Sequence, residues 1–234
     1  MINKLSTHYS LLSFLLIAFF QVSCSGKNST EISEETNLIV KKIEKINVLI
    51  GSAVGYSGKK TEQYDNFEAL KKTASKEELL QLTKHSNPVV RCYSFWALGN
   101  HKNFDLFSLV KDHIKDDALV KTQFGCLLST EKAGDFFINL VTPNYVDDEV
   151  KKLNEKELKT LDSLLVYQEN NLDSRFRAIE RAEPTELLYP KVRELVTKFN
   201  NQSALVTLSK YKNPNDIEII LNNRNKDDED NESG

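Results

Sequence analysis

NPVVRCYSFWALG, residues 87–99, places apolar side chains on nearly every side of the helix that its spacing predicts. A helix lying on a protein surface has one apolar stripe and one polar face. This segment is apolar enough to be packed from several directions, which points to an architecture rather than to a reaction. Asn87 suits the N-cap, and Pro88 sits at the first helical position, where a missing N–H costs nothing. Gly99 is expected to end the helix. Arg91 falls in the first turn, where the helix dipole disfavours a cation, so it needs an anionic partner.

Immediately upstream, Ser75-Lys-Glu-Glu78 reads as a capping box opening a helix through about Lys84, with Leu79, Leu80 and Leu82 inside. His85-Ser86 then forms the turn into residues 87–99. With both helices in view, Asn87-Pro88-x-Val90-Arg91-x-x-Ser94-x-x-Ala97-Leu98-Gly99 resembles the second helix of a HEAT repeat. That family carries Asp/Asn-Pro-x-Val-Arg-x-x-Ala-x-x-Ala-Leu-Gly, and Ser94 is the mild departure. The resemblance implies stacked helical hairpins, each second helix touching both neighbouring repeats. It further implies that an Asp from an adjacent repeat answers Arg91, with Asp116 or Asp117 suitably placed in the next turn.

A second, weaker unit lies about thirty residues on. Phe104, Leu106, Phe107, Leu109, Val110 and Ile114 predict a first helix, and Asp116-Asp117 its turn. Val120-Lys121, Gly125, Leu127 and Leu128 are expected to form the second helix, mirroring Val90-Arg91 and the rest of residues 87–99. Beyond Leu140 the register blurs. Helices are expected over about 155–168, 172–181, 201–210 and 214–221, with Arg175 and Ala178 echoing Arg91 and Ser94. Tyr189-Pro190-Lys-Val192-Arg193 repeats P-x-V-R. Before the first repeat, Ile39, Ile43, Ile46, Ile50 and Ala53 recur at helical spacing, predicting a helix over about 36–50. GSAVGYSGKK then reads as a loop. It fails as a phosphate-binding loop, since Ala53 stands five positions before Gly58 and Lys60 comes after Lys59. The expected fold is all-α, a short α-solenoid of HEAT-like hairpins over residues 37–222.

The two ends differ from this pattern. Residues 1–23 have an early Lys4 and an apolar run from Leu11 to Phe20, too short to span a bilayer comfortably. They read as a secretory signal. Val22-Ser23-Cys24 resembles the lipobox of bacterial lipoproteins, although Gln21 stands where that family usually has Leu. The resemblance implies that Cys24 becomes the acylated first residue of a protein held at the membrane of a bacterial cell envelope. Residues 24–36 read as a flexible tether. Residues 223–234 read as a disordered acidic tail.

Charge and composition bound the function. The net charge is −3, and residues 1–23 contain only Lys4 among Lys, Arg, Asp and Glu, so the remainder stands at −4. That disfavours nucleic acid as a partner. Eight Gly and five Pro in 234 residues favour helices over a turn-rich β fold. Cys24, Cys92 and Cys126 lack zinc spacing, and Cys92 and Cys126 are expected as free thiols. His85 and His113 fall at one edge of the predicted hairpins and His101 at the other, about 18 Å away across a twelve-residue helix, so no metal site is expected. No catalytic constellation stands out, and no cofactor is expected. The expected function is a non-catalytic scaffold binding an envelope protein. The alternatives are an enzyme accessory, since HEAT-like folds occur in bilin lyases, or a small-ligand carrier whose pocket is lined by Tyr56, Tyr64, Phe67 and Trp96.

Overall fold

The computed structural model describes residues 31–101, 104–143 and 149–224. Within them the chain is mainly helical with one small sheet. In order come α1 (Glu34–Ile46), β1 (Leu49–Val54), α2 (Glu62–Thr73), α3 (Lys76–Leu82), α4 (Pro88–Gly99), α5 (Leu106–Asp112), β2 (Leu119–Gly125) and β3 (Leu127–Lys132). Then come α6 (Ala133–Val141), α7 (Glu155–Tyr167), α8 (Asp173–Arg181), α9 (Tyr189–Phe199), α10 (Gln202–Ser209), a 3-10 turn (Pro214–Asp216) and α11 (Ile217–Asn223). The expectation for Cys24, the leader and most of the tether and tail falls outside the described residues.

The expectation of an all-helical chain is corrected in two places. Residues 119–132, expected to hold a second-repeat helix, form the antiparallel hairpin β2–β3, with Phe124 opposite Leu127 across Gly125-Cys126. The segment alternates with period two: Val120, Thr122 and Phe124 share one face, while Leu119, Lys121 and Gln123 take the other. Its β-branched and aromatic residues fit a strand better than a helix. The helix of this unit comes after the hairpin, as α6. The second correction is β1, which runs through residues assigned to the end of a helix and to a loop. Asn47, in the left-handed conformation at φ 52°, ends α1 with its N–H bonded to the Ile43 carbonyl. Helix α1 also starts earlier than foreseen, inside the expected tether. Ser33 caps it and donates its N–H and hydroxyl to Glu78 at 2.8 and 2.7 Å, tying this end to α3.

Strand β1 pairs parallel to β2, with Leu49 beside Thr122. Its outer edge is closed by a side chain. The Ile50 N–H donates to the Tyr93 hydroxyl at 2.8 Å, and that hydroxyl donates back to the Ile50 carbonyl at 3.0 Å. Gly51 leaves room for Phe124, whose ring would lie 2.7 Å from a Cβ there.

Helix α4 is the centre of the packing. Ten of its residues are buried, and it touches α1, α2, α3, α6, β1 and β2. Phe67 and Trp96 stack at 4.7 Å, and Phe95 and Phe137 at 4.1 Å. Gly99 is the last residue of the helix, as expected, with Asn100 as the C-cap. Its value is close approach: an added Cβ would meet the Val150 side chain at 2.8 Å. The apolar core among the described residues runs from Ile39 to Leu208.

Candidate functional site

Arg91 emerges from the first turns of α4. Its Nε and Nη2 donate to the two carboxylate oxygens of Asp116 at 2.7 and 2.6 Å, and Nη1 donates to the carbonyls of His85 and Ser86 at 2.8 and 3.0 Å. A planar guanidinium suits this double fork better than a point charge would. The contact answers the unfavourable placement near the helix start, since the carboxylate and two carbonyls surround the cation with negative ends. The Arg91 and Asp116 side chains are only 11% and 13% exposed, so water screens them weakly. Burial pushes the Asp116 carboxyl up, but hydrogen bonds from His113 and Arg91 outweigh it and hold the pKa at about 2. Asp117 takes a different role, accepting from Asn171 Nδ2 at 2.9 Å.

The same device recurs. Arg193, from the second P-x-V-R, donates to Asp216 at 3.1 Å, with the Asp 23 residues downstream against 25 for Arg91 and Asp116. Asp216 is fully buried and also accepts from the Tyr189 hydroxyl at 2.7 Å. Arg175, by contrast, donates to a backbone carbonyl, that of Asn170, 3.1 Å away. Sequence reasoning missed Asp216, although the P-x-V-R repeat and the similar spacing were visible. It also missed Asp135, which accepts from the N–H groups of Asp173 and Ser174 at 2.9 and 2.7 Å. Helix α8 has no side-chain cap of its own, and Asp135 reaches across from α6 to supply one. No local signal announces a cap borrowed from 38 or more residues away.

The remaining candidates do not converge. His113 packs its ring 4.8 Å from Phe137 and lies 3.6 Å from Asp116, while His85 approaches Glu44 at 4.0 Å. Among the described residues no cluster of His, Cys, Asp and Glu could hold a metal ion. Cys92 is buried and Cys126 exposed, both as free thiols. Burial, then the carboxylates of Glu131 and Asp116, raises the Cys92 thiol well above its ordinary value, which suppresses the reactive thiolate. Tyr64, Phe67 and Trp96 pack on one another, whereas Tyr56 is wholly exposed, so these four do not line one pocket.

Two surface features remain. One is a depression of about 350 Å³ edged by Pro184, Thr185, Glu186, Tyr189, Tyr211 and Asn213. The other is the end of the sheet carrying the Gly125-Cys126 turn, where Leu127 and Leu128 stand exposed. Among the described residues no helix is long and apolar enough to cross a membrane.

No family model, curated protein or solved structure matches this chain. Its function therefore has to be read from its own residues. The Arg91–Asp116 contact is suited to locking elements together, because all three guanidinium nitrogens and both carboxylate oxygens are engaged within the protein.

Proposed function

We propose that this chain is a lipid-anchored protein of a bacterial cell envelope whose HEAT-like hairpins serve as a non-catalytic scaffold for another envelope protein. The observation that carries the reading is the order of helix contacts. Helices α4, α6, α8 and α10 are neighbours in succession, and each packs on the helix preceding it in the chain. Stacked helical hairpins have this order, with β2–β3 as an insertion between α5 and α6. Such stacking offers wide surfaces built from many helices, which suit protein partners more than compact substrates. The lipobox-like Val22-Ser23-Cys24 supports anchoring, which would raise the local concentration of a membrane-bound partner without new contacts.

A small-ligand carrier is the second reading, favoured by the depression beside Tyr189 and Tyr211. Its volume, about 350 Å³, lies near the lower end for ligand sites. The scaffold is preferred because both tyrosine hydroxyls there already donate inside the protein, to Asp216 and to the Thr185 carbonyl. Cys24→Ser should release the protein from the membrane fraction or leave the leader uncleaved. Unchanged processing and membrane retention of that variant would end the anchoring reading. Crosslinking in intact cells and subsequent affinity capture should recover one dominant envelope protein. Recovery of none, with loss of phenotype confined to substitutions around Tyr189, would favour the carrier.

A further inference from the structure

Two tight turns lie side by side at one end of the sheet. Gly55-Tyr56-Ser57-Gly58 closes the Val54–Lys59 bridge, and the Gly55 N–H donates to the Gly125 carbonyl at 3.0 Å. Gly125 and Cys126 form the second turn. Three large apolar side chains project from this end: Tyr56 is fully exposed, and Leu127 and Leu128 are 75% and 76% exposed. Single exposed leucines are ordinary, but two in succession beside an exposed tyrosine on adjoining turns are not.

Charge says what covers them. Residues 50–60 and 119–130 contain three lysines and no Asp or Glu, in a chain with 34 acidic residues and a net charge of −3. Lys60 is held by Asp65 and Glu68, both at 2.6 Å. Lys59 and Lys121 are exposed and take part in no ion pair among the described residues. Lys121 stands opposite Thr130, on the strand face that carries Leu128. A protruding apolar tip, a tyrosine at its edge and unpaired lysines behind it match the layers of an anionic bilayer. Leucines enter the acyl boundary, the tyrosine sits at headgroup level and the ammonium groups meet lipid phosphates.

We infer that the β1 and β2–β3 turns are a membrane-docking tip, with Leu127, Leu128 and Tyr56 entering an anionic lipid surface and Lys59 and Lys121 binding its headgroups. The inference rests on the envelope reading above and adds how the domain is oriented there. An acyl chain on a tether leaves the domain free to turn, whereas a second contact fixes which helices face away from the membrane.

The test uses the chain from residue 24 onward with Cys24→Ser, so that no lipid is attached. The whole described core lies beyond this cut. Flotation is measured with vesicles of phosphatidylglycerol and phosphatidylcholine, and with phosphatidylcholine alone. The protein should float with the anionic vesicles and much less with the neutral ones, and added salt should weaken the binding. Leu127→Ser with Leu128→Ser should lower the bound-to-free ratio by about a hundredfold, since each buried leucine carries a factor of about ten or more. Lys59→Glu with Lys121→Glu should lower it by about thirtyfold or more on anionic vesicles. Thermal unfolding of both double variants should match the parent, because the substituted side chains are exposed.

Absence of binding to anionic vesicles overturns the inference, as does equal binding by the leucine variant. A concentration-dependent dimer that the leucine variant abolishes, without vesicle binding, would also overturn it and assign the open β3 edge to a second copy of the chain. Release of the full-length Cys24→Ser protein from membranes is a separate result. The anchoring reading can therefore fail while the tip still binds lipid.

Discussion

At the scale of single residues, two carboxyls with opposite shifts give opposite pH behaviour. Asp116 has its folded pKa held at about 2, below that of an unfolded aspartate. Its contribution is therefore fully present above about pH 4 and is lost as pH falls toward 2. The shift corresponds to about 2 kcal/mol. Asp116→Asn should lower unfolding stability at neutral pH by about that amount and flatten the acid limb, as measured by urea unfolding across pH. Part of the acid limb should survive, because Glu78 is also held at about 2: burial raises it, and hydrogen bonds from Ser33 and Ser75 prevail. Glu131 behaves in reverse. Burial raises its pKa to about 7, with the Asp135 carboxylate adding to the rise and a hydrogen bond from Asn139 opposing it. Its folded form holds a proton that the unfolded chain releases above about pH 4, so stability falls as pH rises from there through 7. Glu131→Gln should stabilise the protein by on the order of 2 kcal/mol at pH 8 and change little below pH 4. Equal effects of this substitution at both pH values would refute the assignment.

At the scale of elements, the legible parts of the sequence were those with strong local signals. The capping box at Ser75 and the Asn87 cap form as the sequence implies, with the Asn87 side chain accepting from the N–H groups of Val89 and Val90. Partners of Arg91 were also legible, because a cation near a helix start creates a demand that Asp116 can meet. The hairpin was misread because Val120-Lys121 imitates Val90-Arg91, and a motif of two residues outweighed the period-two alternation around it. The better signal was Gly125. Its φ of +60° at the first position of a two-residue turn fits the type II′ form, whose twist matches paired strands. Nothing lies within 4 Å of a Cβ placed there, so a side chain meets backbone strain but no clash. Gly125→Val should cost about 1–2 kcal/mol from that strain alone. Faster amide exchange should be confined to β2 and β3. Exchange that rises equally in α9 and α10 would show that the hairpin is not a local unit.

At the scale of the described domain, local pattern said that helices dominate but not how they divide the core. The borrowed cap at Asp135 and the buried Asp216 join segments far apart in the chain, and spacing alone cannot announce such contacts. Their arrangement bears on how the domain opens. Trp96 lies 4.7 Å from Phe67, 6.0 Å from Phe136 and 6.2 Å from Phe124, binding α2, α4, α6 and β2 into one aromatic cluster. At the other end α11 has no buried residue, and α10 packs on both α8 and α9. In a stacked array each hairpin is stabilised by its immediate neighbours, so damage should weaken with distance along the stack. Trp96→Ala removes a side chain that is 8% exposed and should cost about 3–5 kcal/mol. Hydrogen exchange measured segment by segment should then show the greatest loss of protection in α2, α4 and α6, a smaller loss in α8, and the least in α9 and α10. A uniform loss across all of them would mean that the domain opens as one cooperative unit, and it would remove the nearest-neighbour behaviour on which the HEAT-like reading depends.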